Sequence, residues 1–415
     1  MFKKFFLYFA AFTVLFSGSF RLYSNAVSRV FTSPKHNECS AEQLTFESSY
    51  CNDAGYSKAS ALLSDLPKVP AAAAALINAD TGNMLACQNE TKRLPMASTT
   101  KIMTALILCE RANLDDEIVC TKEMVTVEGS SMGLMVGDRV SYRALLYGMM
   151  LPSGNDAATA TAISIGGSLE GFSKIMNDRA KEIGLENTHF VTPSGLDAEE
   201  HYTTAGDLAK LACFAMKNKT FKKIVGTEKI AVEYGNPPYR RMLKGHNKLM
   251  NYYSGTIGIK TGYTKKSGRC LVSAATRNDC TLIAVTLNDA NTLDSHKTLL
   301  DYGFRKLSGY RLSLPQEIKA PVVISGSGRT KIYTEPIFIG LSDLEREQLC
   351  YKISLKSFIY APVKKNTVVG HIDFFIGDQL LTSAYIKAEN FVPLSGGKPA
   401  TFFERFLRNT KQLLT

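Results

Sequence analysis

The sequence predicts an α+β domain, then a small all-β domain, then a terminal amphipathic helix. Three observations lead there. Between Val69 and Phe304, helix-period segments occupy the middle and strand-like runs lie at both ends, so the terminal strands are free to pair into one antiparallel sheet. From Leu312 to Val392 the texture changes to short β-prone runs separated by turn residues. In the last segment Phe402, Phe403, Phe406, Leu407, Leu413 and Leu414 share one helical face, while Arg405, Arg408 and Lys411 fall off it.

The elements follow in chain order. Lys3 and Lys4 precede an apolar run from Phe5 to Phe20, and small residues Ser24 and Ala26 stand at a cleavage-like spacing. Residues 1–26 therefore read as an export signal, with an uncleaved anchor as the alternative; the run is short for a membrane span. Residues 27–68 are polar and weakly periodic and read as a linker or arm. The domain proper is placed at 69–306. It opens with two short strands around the turn Asp80-Thr81-Gly82. Ile102, Met103, Leu106 and Ile107 then recur at helical spacing up to Arg111. Two helical stretches meet at the break Pro152-Ser153-Gly154. "SLEGFSKIMNDRAKEIGL" is an amphipathic helix closed by Gly184, and "TTAGDLAKLACFAMKN" is another. Two apolar runs joined at Arg277-Asn278-Asp279 form a hairpin. The β-rich domain is placed at 307–392. Residues 393–415 follow a Gly/Pro break and read as an interfacial helix, the alternative being a helix packed on protein.

Composition narrows the function. A length of 415 residues allows two or three domains, and 45% apolar with 21% charged residues is that of a globular chain. The net charge of +11 is scattered, without a Lys/Arg run of the kind that binds nucleic acid. An anionic envelope or a plain solvated surface fits better. With nine cysteines at least one thiol is left over within the chain. Cys87, Cys109, Cys213 and Cys270 sit in apolar runs and read as small buried hydrophobes, while Cys39 and Cys51 lie in a polar stretch and could pair. No C-x-x-C or His/Cys cluster points to a metal, and no cofactor is expected. His201 reads as a loop-ordering residue, Asp197 as a possible cleft-edge residue, and Arg240 and Arg241 as a solvated turn rather than a substrate clamp.

The segment "LPMASTTKIMTALIL" holds Ser98 and Lys101. Ser-x-x-Lys alone is cheap, with roughly two expected by chance in such a chain, and Ser98 could be only an N-cap. A second instance, Ser395 to Lys398, is noise. The chemistry is nevertheless coherent. One turn of helix puts i and i+3 on the same face, so the Lys101 amine can reach the Ser98 oxygen. A desolvated lysine near other cations can act as a base, and a serine needs one to become a nucleophile. A helix N-terminus at Ser98 would add positive potential where an oxyanion forms. Two further elements sharpen the case. Ser153-Gly154-Asn155 occupies a break between helices. Lys260-Thr261-Gly262 stands just before an apolar strand, where a glycine lets a substrate backbone approach. Lys266-Ser267-Gly268 lies too close behind to line the same wall.

The ordered trio of Ser-x-x-Lys, Ser-x-Asn and Lys-Thr-Gly resembles the active-site-serine penicillin-binding peptidases and β-lactamases. "MASTTKIMTA", "GSSMGLMVGDRVSYRALLYGMMLPSGNDAA", "NTHFVTPSGLD", "HYTTAGDLAKLA" and "GIKTGYTKKSGRCLVSAA" closely resemble the D-alanyl-D-alanine carboxypeptidases of the low-molecular-mass penicillin-binding proteins, serine peptidase family S11. The likeness covers roughly Val69 to Phe304 and continues more weakly through "APVKKNTVVGHI". It implies a β-lactamase/D,D-peptidase-like domain, with an antiparallel sheet and a helical cluster, followed by the β domain. It implies removal of the terminal D-alanine from peptidoglycan stem pentapeptides, inhibition by β-lactams, and an exported protein held to the outer face of the cytoplasmic membrane through its C-terminal helix. By this resemblance Ser98 is the nucleophile, Lys101 its base, and Ser153 a proton shuttle to the leaving D-alanine. Asn155 holds the substrate amide, Lys260 supplies positive charge beside Ser153, and Thr261 helps bind the terminal carboxylate. Gly262 lets the substrate backbone approach, and the N–H groups of Ser98 and Tyr263 form the oxyanion hole. Some relatives have a histidine where Tyr263 stands. Some carry an arginine before the last catalytic-domain helix, and "NDANTLDSHKTLLDYGF" has none. Two rivals remain. A class A β-lactamase needs a Glu-x-x-Leu-Asn string between the second and third motifs, which is missing between Asn155 and Lys260. A non-catalytic envelope scaffold would have been supported by loss of Ser98 or Lys101.

Overall fold

The computed structural model describes residues 67–314, 319–323, 329–356 and 359–393. The signal, the arm with Cys39 and Cys51, and the terminal helix all lie outside them. The chain divides into two compact units, and each is described by itself.

The first unit contains residues 67–310 and 339–342 of those described. Strands β1 (Ala71–Asn78) and β2 (Met84–Gln88) form the opening hairpin. A 3-10 turn at Ala97–Thr100 leads into helix α1 (Lys101–Arg111). Then come β3 (Glu117–Val119), α2 (Lys122–Val125), β4 (Arg139–Ser141), α3 (Tyr142–Met150), α4 (Asn155–Gly166), α5 (Leu169–Ile183), α6 (Ala205–Lys217) and α7 (Lys219–Val225). A hairpin of β5 (Lys229–Gly235) and β6 (Pro238–Lys244) follows, then α8 (Leu249–Tyr252), β7 (Thr256–Thr264), β8 (Gly268–Arg277), β9 (Cys280–Asp289) and α9 (Thr292–Lys306).

As expected, the terminal strands meet: β1 pairs antiparallel with β9 in a five-stranded sheet of order β2-β1-β9-β8-β7. The β8–β9 turn is tight because Asn278 and Asp279 both adopt positive φ, +48° and +63°, a conformation these two side chains tolerate. One face of the sheet packs on the helical cluster, the other on α9. Helix α1 lies at the centre of the cluster, with Lys101 to Leu108 all buried. Its apolar surface runs all round, so tertiary packing rather than amphipathicity holds it. Helix α5 is amphipathic: Ser168 caps it by accepting from Gly171 N, and Gly184 ends it at φ +79°. The hairpin β5–β6 joins β3 and β4 in a four-stranded sheet, which the sequence reading did not anticipate.

After β10 (Ser308–Leu312), the second unit is β-rich. Strands β11 (Lys319–Val323), β12 (Arg329–Tyr333), β14 (Leu349–Leu355), β15 (Ile359–Tyr360), β16 (Val368–Ile376) and β17 (Gln379–Ala388) form a six-stranded sheet. Helix α10 (Asp343–Glu347), in the segment "SDLEREQL", interrupts the series, while most of strand β13 (Ile337–Leu341), residues 339–341, belongs to the first unit. Among the described residues no helix is long and apolar enough to cross a membrane.

Two expectations need correction. Cys213 and Cys270 are buried, but Cys87 and Cys109 are only half-buried. Arg241 is not part of a solvated turn. Its guanidinium lies 4.1 Å from the ring centroids of both Tyr234 and Tyr239, donates to Gly133 O and faces Asp138 at 3.6 Å. Two aromatic faces and a carboxylate hold it against the loop before β4.

Candidate active site

Ser98 lies inside the 3-10 turn, and α1 starts only at Lys101, so the alternative that Ser98 is only a helix N-cap does not hold. The turn is tied locally. Thr99 Oγ1 donates to Met96 O at 2.6 Å and Thr100 Oγ1 to Ala97 O at 2.9 Å, while Ala97 takes the left-handed φ of +48°. A non-glycine residue in that conformation stores strain beside the serine.

The i, i+3 expectation holds. Lys101 Nζ is 2.9 Å from Ser98 Oγ. It also donates to Asn155 Oδ1 at 2.7 Å and to Ser194 O at 2.7 Å. Lys101 is fully buried, and its pKa is held well below the ordinary lysine value, first by burial and next by the Lys260 charge, with Asp156 opposing. A neutral amine has two N–H donors and one lone pair. Asn155 and Ser194 can occupy the donors, leaving the lone pair for the Ser98 hydroxyl.

Asn155 is the first residue of α4 and is fixed from the other side, Nδ2 donating to Glu128 O at 2.6 Å. Ser153, at φ +63°, is nearly buried, and its hydroxyl has no hydrogen-bond partner among the described residues. Lys260 is 1% exposed and donates to Thr261 O at 3.0 Å. Among the described residues no hydrogen bond joins it to Ser153. Burial pulls the Lys260 pKa down to about 7. An arriving anion would favour its charged form.

Lys260, Thr261, Gly262 and Tyr263 lie within β7, not ahead of a strand, and β7 is an edge of the sheet. A Cβ on Gly262 would stand 3.1 Å from Met96 O, Ala97 Cβ and Ser98 N. The glycine therefore permits the edge strand to press against the serine turn. Thr261 is half-buried and Tyr263 exposed.

Several supports were not legible as site residues. Gly195, at φ +84°, lies so close under the turn that a Cβ there would be 1.8 Å from Ala97 O. Thr104 Oγ1 donates to Pro193 O at 2.6 Å, holding the strand of chain that presents Ser194 O. His201 Nδ1 accepts from Val191 N at 2.9 Å, so its Nε2 carries the hydrogen and donates to Thr100 Oγ1 at 2.9 Å. Burial lowers its pKa to about 4, keeping it neutral. It orders the loop, as expected. Asp156 accepts from Ser131 Oγ and from the N–H groups of Met132, Gly133 and Leu134, at 2.9 to 3.1 Å for the backbone donors. It had drawn no notice beside Ser153 and Asn155. Asp197 accepts from Thr264 Oγ1 at 3.1 Å, at the end of β7.

A family model described as D-alanyl-D-alanine carboxypeptidase matches residues 60–291. The chain belongs to the D-alanyl-D-alanine carboxypeptidase family, whose members are serine-type peptidases. A second model, the penicillin-binding protein 5 C-terminal domain, matches residues 319–394 of this carboxypeptidase-family chain. D-alanyl-D-alanine carboxypeptidase DacF of Bacillus subtilis is 31% identical over 358 residues, covering 82% of this chain and 89% of the relative. The crystal structure of D-alanyl-D-alanine carboxypeptidase DacD from Francisella tularensis has a TM-score of 0.57 at 26% identity, over 79% of this chain and 95% of that one. The Streptomyces K15 DD-transpeptidase has a TM-score of 0.55 at 35% identity, over 58% of this chain and 99% of that one.

Proposed function

We propose that this chain hydrolyses the terminal D-Ala-D-Ala bond of peptidoglycan stem peptides through an acyl-enzyme on Ser98. The observation that carries the reading is the threefold environment of Lys101 Nζ, a buried amine whose two fixed acceptors leave it aimed at Ser98 Oγ. Neutral Lys101 takes the Ser98 proton as Oγ attacks the carbonyl of the penultimate D-alanine. The N–H groups of Ser98 and Tyr263 stabilise the oxyanion. The C–N bond then breaks; the Ser153 hydroxyl passes its proton to the departing amine and takes in return the proton held by Lys101, which is neutral again. Lys260 holds positive charge near that transfer. Water attacks the ester, neutral Lys101 accepts its proton, and the proton passes from Lys101 to Ser98 Oγ as the acyl C–O bond breaks.

The β-lactamase alternative asks for a carboxylate to activate the deacylating water. The groups bonded to Lys101 are a hydroxyl, an amide and a backbone carbonyl. Slow deacylation of a β-lactam, and hence inhibition, is the behaviour this reading expects. The site acts on the outer side of the cytoplasmic membrane, where this polymer is found, and residues 393–415 attach the chain to the membrane face; deleting them should release the protein from vesicles. The functional test is release of D-alanine from a peptide ending in D-Ala-D-Ala. Turnover of that peptide and none of its L-Ala-D-Ala or D-Ala-L-Ala isomers supports the assignment; indifference to configuration would overturn it.

A further inference from the structure

Asn155 decides what Lys101 can do. Its Oδ1 takes one N–H of the lysine at 2.7 Å, which leaves the amine lone pair for Ser98. Were the amide to turn over, its own N–H would face Lys101 and compete for that lone pair.

The segment 128–134 holds the amide the right way round. Asn155 Nδ2 donates to Glu128 O at 2.6 Å, and Asn155 N donates to Ser130 O at 2.7 Å. Between these two bonds Gly129, at φ +83°, lies so close that a Cβ would stand 2.9 Å from Asn155 Nδ2. The loop is itself gripped from two sides. Asp156 of α4 takes the N–H groups of Met132, Gly133 and Leu134. The hairpin β5–β6 takes the carbonyls: Tyr234 Oη donates to Met132 O, and Arg241 Nη1 donates to Gly133 O. Arg241 Nη2 also faces Asp138 at 3.6 Å, and Asp138 accepts from Met135 N at 3.0 Å.

Arg241 is poorly suited to be a plain support. Its side chain is 13% exposed, and its Nε and Nη2 are buried without a hydrogen-bond partner among the described residues. A buried cation bonded so incompletely costs stability, and an apolar side chain of similar volume is often at least as stable. What the guanidinium adds is direction. Tyr234 and Tyr239 hold it between their rings, 4.1 Å from each centroid, and its rigid fork is aimed at Gly133 O.

Resting on the peptidase reading above, we propose that Arg241 is a positioning residue for the Ser98 reaction: it locks the segment 128–134 against α4 and so keeps the Asn155 oxygen turned toward Lys101. The hairpin acts through this loop rather than on the substrate.

The test is a double-mutant cycle on the full-length protein, with benzylpenicillin acylation followed by intact mass. Arg241→Met and Arg241→Lys are made in the wild type and in Asn155→Ala. The wild-type adduct reports the Ser98 chemistry; the dependence on background reports Arg241. Arg241→Met should slow acylation about tenfold in the wild type, a coupling within the range for residues of one network, and should have no further effect once the Asn155 amide is gone. Arg241→Lys keeps a donor but not the flat fork, and its rate should lie between. A merely structural arginine would slow both backgrounds by the same factor; that result, or no slowing in the wild type, would overturn the proposal.

Discussion

Gly195 gives the sharpest structural prediction. Its φ is +84°, and a Cβ would stand 1.8 Å from Ala97 O, 2.4 Å from Ala97 C and 2.8 Å from Thr100 Oγ1. In Gly195→Ala the left-handed backbone costs about 1–2 kcal/mol, and relieving the collision costs about 1–3 kcal/mol more. The sum is about 2–5 kcal/mol of stability. The movement that relieves it separates Ser194 O, 2.7 Å from Lys101 Nζ, from the serine turn, so the lysine loses the acceptor that fixes its orientation. Acylation should slow by about a hundredfold, the lower range for a mispositioned base. Gly184→Ala is the control. Its φ of +79° is similar, but nothing lies within 4 Å of the added carbon. That variant should lose about 1 kcal/mol with unchanged acylation. Urea denaturation and benzylpenicillin acylation measure both quantities. If Gly195→Ala behaved like Gly184→Ala in both, the close approach would have no part in setting the site.

The other predictions concern charge. Asp156→Asn replaces an acceptor of several N–H and O–H donors with a group carrying its own N–H. It should cost about 3 kcal/mol and slow acylation, because the Ser131–Leu134 loop loses its anchor. Acylation should rise with pH through the lowered Lys101 value and level off well below the ordinary 10.5; a limb at 10.5 would contradict the burial argument. His201 and His296, at about 4 and about 3 in the folded protein, bind protons more readily when unfolded. Their stabilising effect is therefore full above about pH 6.5 and lost as pH falls toward those values. Each should remove about 2 kcal/mol between pH 7 and pH 5, and His201→Gln should flatten the pH profile of urea stability by that amount.

The fold was legible where periodicity was strong and turns carried their own chemistry. Asn278-Asp279 marked the β8–β9 hairpin, Gly184 the end of α5, and Pro152-Ser153-Gly154 the break between α3 and α4 that holds Ser153. The hairpin β5–β6 was missed because its residues, "KIAVEYG" and "PYRRMLK", mix charges into a half-exposed sheet and give no clear alternation. Arg241 looked solvated for the same reason, since the two tyrosines that enclose it contact it only once the strands pair. At the site, Lys101 could be placed against Ser98 because three residues of turn suffice. Ser194 O could not, because a backbone carbonyl leaves no trace in sequence and lies 93 residues away.

The central claim is that Ser98 is a nucleophile activated by Lys101. Full-length protein should be incubated with benzylpenicillin and its intact mass recorded over time beside Ser98→Ala. A persistent penicilloyl adduct on the wild type, absent from the variant, is the result expected. Equal adduct on both, or rapid loss of the lactam with no lasting adduct, would contradict it.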